Sequence, residues 1–242
     1  MAEKPSRLVA AGEAVRVSGP AAAFVSRGGE KLAAALAHFD VEVAGRRALD
    51  AGASTGGFTD CLLQHGAAMV TAVDVGHGQL DRRLREDPRV QVVERTNVRH
   101  LTPEALGVAP GTYDVVTADL SFISLGQVAA VLLGPLLGDG GDILVLVKPQ
   151  FEAGRAEVSR GRGVVRDPAV HLRALSGVTS SLVQHGAAIM GAMPSPVTGP
   201  SGNVEFLVHA RKSAGSPEAL DGAALEAALA AAVEVAHAGD RG

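Results

Sequence analysis

The sequence predicts an α/β protein built on a doubly wound, seven-stranded, mostly parallel sheet, and three observations carry that prediction. From Leu49 onward, short β-branched runs alternate with Ala/Leu-rich stretches of helical period, the pattern of a parallel sheet covered on both faces. Asp50-Ala-Gly-Ala-Ser-Thr-Gly-Gly-Phe-Thr59 sets a glycine-rich turn between an apolar strand end and an amphipathic helix. A second apolar run follows and ends in Asp74, which completes the outline of a nucleotide-type cofactor site.

Taken in order, residues 1–23 are Ala/Pro/Gly-rich and are expected to pack poorly. Ser26–Phe39 reads as a helix with Leu32, Ala35, Leu36 and Phe39 on one face. Strands are expected near Arg47–Asp50, Val70–Val75, Val90–Glu94, Asp114–Asp119, Ile143–Lys148, Ala188–Met193 and Val204–Ala210. Helices are expected over Gly57–His65, Gln79–Arg85, Leu125–Leu137 and Ala169–Gln184, and an Ala-rich helix over Pro217–His237 follows a Ser/Gly linker. Gly66 and Gly186 stand where a helix ends in the left-handed conformation. The words Gln64-His-Gly-Ala-Ala68 and Gln184-His-Gly-Ala-Ala188 are identical, which reads as one helix-to-strand connection used twice because no fixed-period repeat surrounds either copy. The segment Glu152–Asp167 departs from the alternation. It carries Arg155, Arg160, Arg162 and Arg166 directly after a strand's carboxyl end, where open α/β sheets bind substrates.

Composition narrows the function classes. A chain of 242 residues, 47% hydrophobic and 20% charged, supports one sizeable core. No apolar run approaches a bilayer span, so no membrane role is expected, and Met1-Ala-Glu-Lys-Pro-Ser-Arg7 lacks the apolar segment of a signal peptide. The single cysteine, Cys61, excludes a disulfide framework and a zinc cluster and fits a reducing, cytoplasmic setting; no metal is expected. With no Trp, one Tyr and a net charge of −4, a broad nucleic-acid footprint is disfavoured unless charge is locally segregated.

The chemistry gathers at strand ends. Gly52, Gly56 and Gly57 let the backbone turn sharply and let a ligand approach the new helix, while Asp74 can accept hydrogen bonds from two ribose hydroxyls. The loop lacks G-x-G-x-x-G spacing, so an adenosine with an amino-acid tail, S-adenosylmethionine, is a better fit than a dinucleotide. Asp119 closes the fourth strand and Lys148 the fifth. A lysine on such an apolar strand needs carboxylate compensation or catalytic use, and Glu205, after Gly202-Asn203-Val204, is expected as its partner. Lys31 brings a second cation from the preceding helix; a salt-bridge network that merely ties strand ends together would use the same residues.

The series Lys31, Asp119, Lys148, Glu205 resembles the Lys-Asp-Lys-Glu tetrad of FtsJ-like 2′-O-ribose methyltransferases. The flanking words look like the TlyA (hemolysin A) branch: Val25-Ser-Arg-Gly-Gly-Glu-Lys31, Asp50 to Thr59, Asp119-Leu-Ser-Phe-Ile-Ser-Leu125, Val147-Lys-Pro-Gln-Phe-Glu152 and Gly199-Pro-Ser-Gly-Asn-Val-Glu205. The resemblance covers about residues 24–212 and implies a Rossmann-like class I methyltransferase fold, S-adenosylmethionine as donor and an rRNA ribose as acceptor. It casts Lys148 as the base, Asp119 and Glu205 as orienting groups and Lys31 as the acceptor-placing cation. Asp50, Gly52, Ser54, Gly56, Gly57 and Phe58 are expected on the methionine side, with Asp119 also near the cofactor, Asp74 on the ribose and Asn97 by the adenine edge. Arg27 joins Arg155, Arg160, Arg162 and Arg166 as expected substrate contacts.

Members of this branch usually begin with a small RNA-binding domain, and here the body starts after about two dozen residues, so 1–23 reads as that domain's remnant and 213–242 as a linker and terminal helix. That departure keeps two rivals to the rRNA or ribosomal-subunit partner in view. One is an enzyme acting on a hydroxylated small molecule, either an O-methyltransferase or a dehydratase or cyclase that uses the bound sulfonium electrostatically. The other is a non-catalytic RNA-binding or membrane-active protein, which the absence of a basic amphipathic helix disfavours.

Overall fold

The computed structural model describes residues 22–154, 157, 161, 163–213 and 218–238. Seven strands form one sheet: β1 (Arg47–Ala51), β2 (Met69–Val73), β3 (Val90–Val93), β4 (Tyr113–Ala118), β5 (Leu137–Val147), β6 (Ala187–Pro194) and β7 (Phe206–Lys212). Their order is β3-β2-β1-β4-β5-β7-β6. The first five pair in parallel, and β7 runs antiparallel between β5 and β6. The order reverses between β1 and β4, so the crevice outside their carboxyl ends is the natural ligand position of an open sheet. Because β7 is reversed, its start reaches the same edge: Phe206 registers with Val147.

Side chains alternate between the faces, and the two faces bury separate cores. Leu49 and Ala51 of β1 join Val116 and Ala118 of β4 on one side, whereas Ala48 and Val115 face the other. Helices α1 (Arg27–Phe39) and α2 (Gly57–Gln64) cover the second face through Leu32, Leu36 and Leu62. On the first face, α3 (Pro168–Gln184) and α4 (Gly222–Ala238) contribute Leu175, Val178, Leu182, Leu229 and Val233. Gly66 and Gly186 take φ of +84° and +87°, so the repeated word makes the same helix exit twice, as expected.

Two expected helices are shorter or broken. Only Arg82–Arg85 of Gln79–Arg85 is helical, because Asp81 caps it by accepting the Arg83 N–H. Leu125–Leu137 divides into a 3₁₀ turn, one α turn and a π turn, since Gly134 leaves helical geometry at ψ −114° and Pro135 has no N–H to donate. Leu137 already belongs to β5. At the other end of that strand, a short helix, Pro149–Glu152, was not expected; Val204 and Glu205 lie before β7 rather than within it. No helix among the described residues is long and apolar enough to cross a membrane.

Candidate active site

The glycine turn forms as its composition requires. Gly52 sits at φ +89°, and a Cβ there would lie 2.6 Å from the Asp119 carbonyl oxygen. At Gly57 a Cβ would meet Ser26 Oγ at 2.3 Å, so glycine lets the start of α1 close on the start of α2. Asp74, one residue beyond β2, accepts the Ser54 N–H at 2.8 Å on Oδ2 and the Gly76 N–H at 2.6 Å on Oδ1. Each carboxylate oxygen keeps a further lone pair for a ligand hydroxyl.

Two expected wall residues stand elsewhere. Asp50 is fully buried and accepts hydrogen bonds from Thr59 Oγ1 at 2.7 Å and Thr117 Oγ1 at 3.2 Å, because alternation along β1 turns it inward toward α2. Burial, reinforced by the charge of Asp119 and opposed by Thr59, raises its pKa to about 7. Gly56 has φ +99° and packs against Leu84, where an added Cβ would lie 2.2 Å from Cδ1. Both residues shape the turn from behind, and neither lines the cavities in front of it.

The tetrad comes together as two ion pairs, and neither is the Lys148–Glu205 pair expected from the sequence. Lys31 Nζ lies 2.5 Å from Glu205 Oε2, with both side chains nearly dry at 8% and 1% exposure. Lys148 Nζ lies 2.6 Å from Asp119 Oδ1 and donates to Ser121 Oγ at 2.9 Å. Glu205 therefore compensates Lys31, not Lys148, because the turn before β7 sets it toward α1 while Asp119 leaves the strand neighbouring Lys148. The Asp119 oxygen that meets Lys148 is itself closed off from solvent, so among the described residues the lysine is its close partner.

Two adjoining cavities open in front of this arrangement. The first, about 250 Å³, is walled by all four tetrad residues, with Arg27 and Phe58 also on its lining. The second, about 430 Å³, is lined by Asp74, Asn97, Arg99 and Phe122. Gly52, Ser54, Asp119 and Ser121 belong to both. Arg166 is exposed and lines neither; Arg155, Arg160 and Arg162 lie outside the described residues. Ser121, which holds Lys148, and Arg99 escaped sequence reasoning. Ser121 had a signal, since it stands two residues past Asp119 in a motif word; Arg99 had none.

A family model for FtsJ-like methyltransferases matches residues 24–212. The 16S/23S rRNA (cytidine-2′-O)-methyltransferase TlyA of Mycobacterium tuberculosis is 52% identical over 211 residues, which span 87% of this chain and 76% of that protein. The solved structure of a candidate hemolysin from Streptococcus thermophilus is similar with a TM-score of 0.82 and 41% identity, over 91% of this chain and 77% of that one. A candidate S-adenosylmethionine dependent methyltransferase from Listeria monocytogenes shares the fold at a TM-score of 0.58 and 16% identity, over 77% of this chain and 98% of that one.

Proposed function

This chain belongs to the FtsJ-like methyltransferase family, and we propose that it transfers a methyl group from S-adenosylmethionine to a 2′-oxygen of ribosomal RNA. The observation that carries the reading is the convergence of Lys31, Asp119, Lys148 and Glu205 on one cavity that shares a wall with the Asp74 cavity. The residues fit the cofactor: a carboxylate with free lone pairs at Asp74, a glycine turn at its side and the tetrad cavity beyond. The 52% identical relative is named for rRNA cytidine 2′-O-methylation, which supports a ribose hydroxyl as acceptor. A ribosomal acceptor implies a cytoplasmic setting.

When bound, S-adenosylmethionine supplies a methyl carbon already activated for displacement. The protein's task is to align the acceptor oxygen and take up its proton. Lys148 is the base: its Nζ faces the first cavity and reaches Ser121 and Asp119. It must release its own proton to solvent before it accepts another. Asp119 and Ser121 fix its direction, and Lys31, itself held by Glu205, orients the acceptor in the same cavity. Arg27, at the cavity mouth, meets the phosphate backbone.

The test incubates labelled S-adenosylmethionine with ribosomal subunits, naked rRNA and a hydroxyl-rich small-molecule extract. Label is expected in rRNA at a ribose 2′-oxygen, with yield falling as salt rises. Label confined to the extract, or a metabolite dehydrated or cyclised without transfer, replaces this reading with a metabolite enzyme.

A further inference from the structure

The turn that delivers Glu205 also grips another segment. Asn203 is 3% exposed, and its side chain uses both ends of its amide on one stretch of main chain. Oδ1 accepts the Val165 N–H at 2.9 Å and Nδ2 donates to the Gly163 carbonyl at 3.0 Å. The Val165 carbonyl faces the other way, to Nε2 of His171 at 3.1 Å. One peptide residue is thus held on both polar groups by side chains from two separate elements, the turn before β7 and helix α3. The residue after it is Arg166, exposed, in the arginine-bearing segment.

The histidine's state follows from its partners. A nitrogen that faces a carbonyl oxygen must carry the proton, so His171 donates from Nε2 and its Nδ1 is a lone pair when the ring is neutral. That lone pair accepts from Nε2 of His237, 3.0 Å away on α4. Burial pushes the His171 pKa down, with the Val165 bond opposing and His237 reinforcing the shift. The ring also packs edge-on against Phe206, the residue that follows Glu205. Glu205 is therefore bracketed: Asn203 two residues before it and Phe206 one after both touch the clamp.

We propose that Asn203 and His171 are positioning residues that clamp the Val165 peptide and so fix the turn that sets Glu205 on Lys31 at the cavity wall, setting how tightly the acceptor is bound. The proposal rests on the rRNA reading above for its substrate, and it makes α4 part of the device through His237. Side chains that touch neither cofactor nor acceptor then control acceptor affinity without controlling the chemical step.

Asn203→Ala, His171→Ala and His171→Gln test it in the full chain. With ribosomal subunits as acceptor, the two alanine variants are expected to raise KM for the subunit about tenfold, the effect of stranding one or two buried hydrogen-bonding groups, while kcat and S-adenosylmethionine affinity stay within about twofold. His171→Gln, whose amide can donate to Val165 and accept from His237, should recover most of the lost affinity. Asn203→Asp keeps the acceptor for Val165 but sets a second oxygen against the Gly163 carbonyl, so it should raise KM at least as far, and the His171 variants carry the test if neither Asn203 variant folds. Folded variants with unchanged KM, or with kcat lost at unchanged KM, overturn the clamp. Amide hydrogen exchange needs no acceptor: residues 163–166 should exchange faster in both alanine variants while β5 stays protected. Unchanged exchange there overturns the clamp even if the parent protein labels no rRNA, which separates its failure from failure of the functional reading.

Discussion

The two ends of the sheet solve the same problem, a carboxylate beside cations, in opposite ways. At the amino-terminal end, Asp142 is 2% exposed and receives Arg46 Nη1 at 2.6 Å, His209 Nε2 at 2.8 Å and Arg211 Nε at 3.2 Å. Burial pushes its carboxyl up, but the bonds from His209, Arg46 and Arg211 outweigh it and bring the pKa down to about 2. At the carboxyl-terminal end, Asp119 has one close cation among the described residues, Lys148 at 2.6 Å, and lines both cavities. The first carboxylate is saturated and tied into the frame. The second is held by one ion pair at a cavity wall, where a reaction can change its partner. Lys31–Glu205 combines the two, a buried pair at the functional end.

That contrast breaks most visibly at Asp142. Asp142→Ala leaves Arg46, Arg211 and His209 facing an empty position, and loss of one partner from a buried ionic network costs about 3–5 kcal/mol. Denaturant unfolding should show the loss, while methyl transfer per folded molecule remains at the parental level. A stable variant, or a folded one with impaired turnover, would mean that the amino-terminal cluster is not a purely structural tie.

Lys148→Ala applies the reverse test. The side chain sits at a cavity wall, and the Asp119 carboxylate left behind is 23% exposed and can take up water, so removal should lower stability far less than Asp142→Ala does and leave S-adenosylmethionine bound. Removing a base is expected to cost about a hundredfold or more in turnover, about 2.7 kcal/mol. Near-parental transfer to an identified acceptor would make the lysine one more strand-end tie, and the two ends of the sheet would then differ only in exposure.

Much of the functional end was legible in the sequence, for a physical reason. In a parallel sheet each strand delivers its carboxyl end to the same edge, so a polar residue that terminates an apolar run announces both its place and its environment. Asp74, Asp119 and Lys148 could be read that way. Pairing could not: which carboxylate meets which lysine depends on β7 being inserted in reverse beside β5, and on where α1 lands, and neither leaves a local mark. Asp142 stayed hidden for a related reason, since a single acid near the start of a strand acquires meaning only through Arg46, His209 and Arg211, all of them more than sixty residues away. The helix expected over Leu125–Leu137 shows a different limit, a favourable apolar period overruled by Gly134-Pro135 at its end. The inward turn of Asp50 was open to a strict period-two reading of β1, because Ala48 shares its face.

The smallest of the three effects concerns Asp74, where the comparison between framework and cavity-facing carboxylates can be sharpened within one residue. Its oxygens already accept Ser54 and Gly76 N–H groups, so it resembles Asp142 in its internal bonds and Asp119 in facing a cavity. If the remaining lone pairs serve ribose hydroxyls, Asp74→Ala should weaken S-adenosylmethionine binding by on the order of tenfold or more, given roughly 1.5–3 kcal/mol for hydrogen bonds to a charged group. Part of that loss would come from the turn itself, since Ser54 and Gly76 lose their acceptor. Asp74→Asn divides the two contributions: its carbonyl oxygen can still accept one backbone N–H, and its amide can turn toward a ribose oxygen. Calorimetry on both variants should rank parent, Asn and Ala in descending affinity with the core intact. Equal affinity across the three, or tighter binding of NAD than of S-adenosylmethionine to the parent, would show that the carboxylate only ties the turn and that the second cavity holds a different ligand.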